Sequence, residues 1–502
     1  MIRPGLTAAA IVATSLIAAG TLLVAPLMIT AGAVGIIFLL FSAQIIRHPR
    51  LTAVVTFLLL LLAETKFRTR DAGAMLSGSV DSQVLYELAL YAALGWIVVL
   101  GFIIPPRPAH RVAPAIAIGL GCYAALAVLS TVWSPSPAIT LVRSVQLSIL
   151  VAVAICLSAR ADPVTIFQSL LIALVLYCGV MTIIAFVVPG ATPRLGVPGK
   201  TGRFSWFAVH PGAVAMLASL TVLLLIITLM NGLPRTPGPR RLGIGLAGIA
   251  FFGAMLLATR SRADLIAMVG TVGVLFVRRL RLKPELLAAA ILGCIGITGL
   301  AVTNFGAMHL VNNVLSDNWS VGDYVLRGQT PDQFMSLSSR TELWKDMLPL
   351  IAARPVLGWG FESTRSILLD VFFWASYAHN AVVQVVMGLG IVGAALLLPL
   401  FGSCFFVGGS GDQLARDGPS FARTTVIGIA VYLGIQSLAF ESFAGTPGVA
   451  VLVAFVCMLS AADLRRQARE ARHPLARPAL STIGRDEPGR AAAVARAYAC
   501  AS

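Results

Sequence analysis

The run VTIFQSLLIALVLYCGVMTIIAFVV occupies residues 164–188 and carries no charged side chain. An α-helix rises about 1.5 Å per residue, so a helix of this length crosses the roughly 30 Å hydrocarbon core of a bilayer. The rest of the chain has the same character, because 58% of its 502 residues are hydrophobic and only 12% are charged. An ordinary soluble domain has about twice that charged fraction. The composition therefore excludes soluble, fibrous, disordered and disulfide-scaffold proteins and predicts a multi-spanning membrane protein.

Apolar runs of similar length recur along the chain and predict an all-α, polytopic helical bundle with about 12 to 14 transmembrane helices. The first run follows Arg3 and is too long for a cleaved signal peptide, so we expect an uncleaved signal anchor. The predicted spans are 6–24, 27–46, 51–64, 83–104, 113–131, 140–158, 164–188, 204–230, 242–258, 263–278, 285–304, 379–407, 422–440 and 446–462.

The chain is strongly basic, with 37 Lys and Arg against 21 Asp and Glu and a net charge of +16. Basic residues concentrate in the cytoplasmic loops of membrane proteins, so we interpret the excess as a topology signal and expect no nucleic-acid partner. With both termini inside, the cluster RRLRLK at 278–283 and the arginine-rich tail lie on the same side. The tail is expected to lie on an anionic leaflet or to be disordered.

One long segment outside the spans divides the predicted bundle and faces the cell exterior in this topology. It contains four tryptophans, which argues against disorder. The predicted division is into N-terminal transmembrane helices (1–112), a transmembrane core (113–304), a large outer loop (305–378), a C-terminal transmembrane core (379–462) and a basic cytoplasmic tail (463–502).

Two nucleotide-binding motifs are matched only superficially. GLGIVG at 388–393 fits GxGxxG but lies inside an apolar span, where glycines favour close helix packing. GKT at 199–201 would need a glycine at position 194, which is Arg194. The seven cysteines form no CxxC pair, so we predict neither a disulfide framework nor a metal site. We expect no cofactor.

Arginines at the outer ends of spans are candidates for binding an anionic lipid headgroup. Arg203, Arg260 and Arg262 occupy such positions. The planar guanidinium donates two parallel hydrogen bonds to a phosphate, which makes arginine well suited to this task. The alternative is that these side chains only anchor their helices at the interface, and that Ser261, Arg262 and Asp264 form a capping and salt-bridge cluster.

A histidine lies where the long outer loop returns to the membrane, in the sequence YAHN at 377–380. An imidazole can accept a proton near neutral pH, so His379 is a candidate general base, and Asn380 could orient its ring or bind a sugar hydroxyl. The alternative is a capping pair at a helix start. For His210, which precedes Pro211, a structural turn is the favoured interpretation.

The order and spacing of several motifs resemble those of the O-antigen ligase and polymerase superfamily over about residues 115–460. The motifs are SRTELW at 339–344, RPVLGWGF at 354–361, AHN at 378–380, GLGIVG at 388–393, TVWSP at 131–135, GRF at 202–204 with HP at 210–211, and Ser261-Arg262. Two family features are missing, since Gly212 replaces an asparagine and Gly388 replaces an acidic residue. We therefore leave His210 out of the predicted catalytic set.

The resemblance implies a GT-C-like membrane glycosyltransferase that polymerises or ligates undecaprenyl-diphosphate-linked oligosaccharides on the periplasmic face of the bacterial inner membrane. It implies His379 as the base, and Arg203, Arg262 and Arg340 as diphosphate ligands. It also implies metal-independent, inverting chemistry in O-antigen or exopolysaccharide synthesis, with a slight preference for polymerase. The acceptor is a glycan or lipid A-core, and a chain-length regulator or flippase is a further partner.

Two other functions stay open from the sequence. A lipid-linked oligosaccharide flippase should carry polar residues near mid-span on broken helices, whereas here most charges lie at span ends and Glu87 is an exception. A cell-wall glycan polymerase would share a related architecture, but the His-Asn pattern of the outer loop argues against it.

Overall fold

The computed structural model describes residues 41–67, 80–105, 110, 112–188, 203–231, 239–279, 340–371, 377–407 and 419–472, and it confirms the all-α prediction. The α-helices are α1 (Pro49–Ala63), α2 (Ser82–Ile103), α3 (Pro114–Leu129), α4 (Pro137–Arg160), α5 (Pro163–Val187), α6 (Pro211–Asn231), α7 (Pro239–Thr259), α8 (Arg262–Arg279), α9 (Arg340–Ala353), α10 (Thr364–Val371), α11 (Ala381–Gly402), α12 (Pro419–Gln436) and α13 (Val449–Arg472).

Seven of the described helices, α2–α7 and α11, are long and apolar enough to cross a bilayer. Shorter apolar helices occur at Pro49–Ala63 and Phe421–Gln436. The predicted spans 6–24 and 285–304, and most of 27–46, lie outside the described residues. Residues 305–339 and 372–376 of the predicted outer loop and 473–502 of the predicted tail do so as well, whereas residues 463–472 of that tail are helical and continue α13.

Two predicted spans differ from the observed helices in a way that matters for the outer end. Residues 204–210 of the predicted span 204–230 are not helical, and α6 begins only at Pro211, whose fixed φ suits the first helical turn. The predicted span 422–440 ends as a helix at Gln436. Both differences lengthen the non-helical segments that meet at one end of the bundle.

The N-terminal half of α13 lies in the core, and its residues from Val449 to Ala461 are buried. It packs against α4, α12 and α3. This half carries no charge, while the half beyond Asp463 is rich in arginine and leaves the core. The change in composition along one helix therefore sets how deeply each part is buried.

Contacts between distant segments show which helix ends lie together. At one end, Val449 N donates to Glu64 Oε1 (2.6 Å), and the backbone N of His379 donates to Glu441 Oε1 (3.2 Å). At the other end, Arg160 donates to the carbonyls of Ile46 and Gly101. The end that contains His379 is called the site end below, and the arginine-rich end of α13 lies opposite to it because α11, α12 and α13 traverse the bundle in turn.

The glycine motif of α11 packs against a loop. Gly390 has φ +65° and interrupts the helix, and the loop 354–361 lies against this break. Gly360 N donates to Gly388 O at 2.8 Å, and Ile391 N donates to Pro355 O at 2.9 Å. The glycines thus permit close packing, as the sequence predicts, but their partner is a loop rather than a second helix.

Candidate active site

Five segments meet at the site end. They are residues 203–210, the turn between α7 and α8, the start of α9, residues 377–380 and the connection 437–448 between α12 and α13. Each of them is non-helical or lies at the end of a helix. Together they bring the four residues singled out by the sequence, Arg203, Arg262, Arg340 and His379, into one neighbourhood.

Arg203 is attached to the turn that precedes α8. Its Nε donates to Thr259 O at 2.9 Å, and the next backbone amide, that of Phe204, donates to Ala258 O at 2.9 Å. Arg262 is the first residue of α8 and lies close enough to Arg203 and Arg340 for the three guanidiniums to repel one another. All three side chains are half-buried.

Arg340 begins α9 and reaches the connection between α12 and α13. Its guanidinium carbon lies 5.4 Å from the ring centroid of Phe440, which is within cation–π range. Burial lowers the pKa of Arg340, while attraction to Glu441 and Asp264 opposes that shift. Arg340 therefore lies between the arginines of the α7–α8 turn and the histidine segment.

Asp264 is the buried acid beside this cluster, and it has a structural role. Its carboxylate accepts hydrogen bonds from Ser261 Oγ (2.5 Å), Tyr432 OH (2.6 Å) and Gln436 Nε2 (2.6 Å). These bonds tie the start of α8 to α12. The structure thus shows a hydrogen-bonded Ser261–Asp264 pair, as part of the cluster alternative, while the role of Arg262 stays a prediction.

His379 lies in the short segment before α11 and adopts a left-handed backbone, with φ +51°. Such a conformation is uncommon for a residue with a side chain and is kept only where surrounding contacts hold it. Its Nδ1 lies 3.6 Å from Glu441 Oε1. Burial lowers the pKa of His379 to about 4, and the nearby Arg340 and His210 add to the effect. The imidazole is therefore neutral at pH 7.

Glu441 is the residue of this neighbourhood that the sequence did not reveal. One oxygen accepts the backbone N–H of His379 and also faces its Nδ1. Burial raises the pKa of Glu441 to about 7, with a further rise from Glu362. The only sequence signal is an acidic residue between two apolar runs, which is too common a pattern to assign a role.

Two neighbours of the histidine have structural roles. Asn380 is the N-cap of α11, and its side-chain oxygen accepts from the backbone N–H groups of Val382 and Val383. The capping alternative for Asn380 is therefore confirmed. His210 Nδ1 accepts from Gly212 N at 3.0 Å, which confirms the structural turn before α6. A side chain at position 212 would contact His210 and Phe440, so glycine fits that turn.

The site combines positive charge with a proton-accepting pair. Arg203 and Arg340 are attracted by Asp264, whose oxygens are already bound, and Arg340 is also attracted by Glu441, whose pKa is about 7. This balance favours binding an anion with more than one negative charge. Among the described residues, no group of three or more His, Cys, Asp and Glu side chains could hold a metal ion.

Comparison with known proteins gives one family. Residues 246–398 match the family model described as O-antigen ligase, a range that contains Arg262, Arg340 and His379. The comparison with curated proteins gave no match. Residues 246–398 therefore match an O-antigen ligase domain, which supports the resemblance to the O-antigen ligase and polymerase superfamily, and the chain is a multi-pass membrane protein.

Proposed function

We propose that the protein is a membrane glycosyltransferase that polymerises or ligates undecaprenyl-diphosphate-linked oligosaccharides in the synthesis of O-antigen or exopolysaccharide. The observation that carries the proposal is the pairing of His379 with Glu441 beside three arginines. We further propose that this site faces the periplasm from the bacterial inner membrane. The acceptor would be a second glycan or lipid A-core, and a flippase or chain-length regulator would be its partner.

The arginines would hold the donor's diphosphate. When the bond between the sugar's anomeric carbon and the phosphate oxygen breaks, negative charge grows on the departing diphosphate. Arg262 is repelled by both Arg203 and Arg340, and an anion bound beside it would relieve that repulsion. Preplaced charges of this kind stabilise the transition state without needing to reorganise.

His379 would accept the proton of the acceptor hydroxyl as its oxygen bonds to the anomeric carbon. With Nδ1 directed to Glu441, Nε2 is the ring nitrogen that would take the proton. Glu441 would hold the ring in this tautomer and stabilise the imidazolium that forms. The acceptor oxygen attacks opposite the leaving diphosphate, so a single displacement would invert the anomeric centre, and the lipid diphosphate bond supplies the energy.

A lipid-linked oligosaccharide flippase is the second candidate, because one polar cluster does lie inside the bundle. Arg143 on α4 donates to Glu87 on α2 at 2.5 Å, and both side chains are largely buried. A transporter would need such groups to be exposed in alternation to the two sides. No contact among the described residues specifically favours a cell-wall glycan polymerase.

The proposal is tested in a deletion strain that lacks its surface polysaccharide. Complementation with His379→Ala or Arg262→Ala should fail to restore long-chain product, while Arg466→Gln should restore it. Arg466 is a matched control because it lies at the opposite end of the bundle and pairs with Asp463. Full restoration by both site variants at wild-type protein level would contradict the enzyme assignment.

A second measurement tests the flippase. If the deletion strain lacks lipid-linked units on the outer leaflet while product still forms in vitro, the flippase would be favoured.

A further inference from the structure

A cluster of three aromatic rings lies at the site end, next to the segment that carries Arg203 and His210. The ring of Phe67 is 5.3 Å from that of Tyr86 and 5.2 Å from that of Phe207, both edge to face. Phe67 is 39% exposed although it is a large apolar residue, and the other two rings are partly exposed. We call these three residues the aromatic platform.

The backbone holds this platform in place. Phe67 N donates to Gln83 Oε1 (3.1 Å), and Gln83 Nε2 donates back to Thr65 O (2.9 Å). From the other side, the backbone amide that follows Phe207 donates to the carbonyl of Lys66 at 2.7 Å. Phe207 itself has a left-handed backbone, with φ +48°, which these contacts maintain. The rings are therefore presented in a fixed arrangement.

Polar side chains lie directly beside the platform. Lys66 Nζ is 3.4 Å from Glu87 Oε2, and its side chain is 43% exposed. The other Glu87 oxygen accepts from Arg143 (2.5 Å) and from Gln146 Nε2 (3.0 Å). Glu87 and Gln146 are buried and bound to each other, so Lys66 offers an exposed ammonium next to Phe67 in the chain, held by the buried Glu87.

Electrostatic contacts connect this polar cluster with the histidine site. Arg143 also interacts with Glu362, which accepts from Thr446 Oγ1 at 3.0 Å. Glu362 in turn interacts with Glu441, the partner of His379. Residues 203–210 make a second connection, since they contain both Phe207 and the diphosphate candidate Arg203. The charges of Arg143, Glu362 and Glu441 therefore influence one another between the platform and the proposed base.

We propose that the aromatic platform, with the exposed Lys66 that Glu87 holds, binds sugar rings of the acceptor glycan. A sugar ring has an apolar face of C–H groups that can stack on an aromatic ring, and hydroxyls around its rim that can bond to charged and amide groups. Binding sites for such ligands combine aromatic walls with a few placed polar groups. A simple interfacial aromatic belt would need neither a tethered turn nor a buried ion network. This inference rests on the proposed function for the identity of the glycan.

Photocapture tests the platform without requiring turnover. The full-length protein carrying Phe67→p-benzoylphenylalanine is irradiated in cells that make the polysaccharide, and carbohydrate on the purified protein is detected by periodate staining. Phe102→p-benzoylphenylalanine is the matched control, since Phe102 is 74% exposed near the opposite end of α2. Acid-labile carbohydrate on the Phe67 variant alone is expected. Equal carbohydrate on both variants, or none on either, overturns the proposal.

Kinetics provide a second measurement, with purified protein in nanodiscs and separately titrated donor and acceptor fractions from the same cells. Phe67→Ala should raise the KM for the acceptor about three- to tenfold, the loss expected for one aromatic contact, with kcat and the donor KM changed less than twofold. Phe102→Ala should leave all three unchanged. A fall in kcat with no change in acceptor KM would indicate a structural role only and would contradict the subsite.

Failure of the subsite and failure of the proposed function are distinguishable when the capture is repeated in the His379→Ala background. An inactive His379→Ala protein with no capture at Phe67 overturns the subsite and leaves the proposed function standing. Capture at Phe67 in a fully active His379→Ala protein supports the subsite and contradicts the proposed base.

Discussion

At the residue scale, the pairing of His379 with Glu441 predicts an unusual pH dependence. The pKa of Glu441 is raised to about 7 and that of His379 is lowered to about 4, both chiefly by burial. As the pH falls through about 7, Glu441 takes up a proton and loses the negative charge that faces Nδ1 of His379. The acid limb of kcat/KM should therefore lie near pH 7 in the wild-type protein.

The variant Glu441→Gln separates the titration of Glu441 from that of His379. Glutamine cannot titrate, so the acid limb should move down toward the pKa of His379, with a plateau lowered by about 10- to 100-fold because the imidazolium loses its carboxylate. The measurement is kcat/KM between pH 4.5 and 9 for both proteins. An acid limb that stays near pH 7 in Glu441→Gln would show that another group is responsible.

The role of Asn380 can be separated from that of its histidine neighbour. Because its side chain caps α11, Asn380→Ala should destabilise the protein by about 1 kcal/mol, whereas Asn380→Ser or Asn380→Asp should keep the cap. We expect all three variants to retain activity once protein levels are equalised. A loss of kcat in Asn380→Ser at normal thermal stability would instead indicate that the amide contacts the substrate.

At the scale of elements, the break in α11 depends on glycine. A Cβ at Gly390 would collide with the backbone of Val356, and φ +65° is unfavourable for alanine as well. Gly390→Ala should therefore destabilise the protein by at least about 2 kcal/mol and displace the loop 354–361. Gly402→Ala, near the other end of the same helix, meets nothing within 4 Å and serves as the control. Equal melting temperatures for the two variants would refute this role.

At the scale of the whole molecule, the alternating helix ends predict where labels will react. In a cysteine-free background, Val356→Cys reports the site end and Arg469→Cys reports the opposite end, since both positions are exposed. An impermeant maleimide added outside the inner membrane should label Val356→Cys alone, and Arg469→Cys should react only after permeabilisation. The reverse result would place His379 in the cytoplasm and exclude the proposed function.

The positions of many basic residues agree with a cytoplasmic location for the end opposite the site. The described basic residues at the end opposite the site include Arg47, Arg50, Arg160, Arg278, Arg423, Arg465, Arg466 and Arg469. An excess of basic residues marks the cytoplasmic side. The structure decides which segments share an end, and the positive-inside rule supplies the direction that we propose.

The helical membrane class and most helix positions follow from the sequence alone, because bilayer thickness dictates the length of an apolar run. Short motifs also single out Arg203, Arg262, Arg340 and His379 as candidates, and the structure brings them together, while their roles stay proposals. Glu441 could not be found this way, since it meets a histidine 62 positions away only because α11 and α12 return to the same end of the bundle. The loop partner of the α11 glycines and the aromatic platform also depend on packing between distant segments, which local composition does not encode.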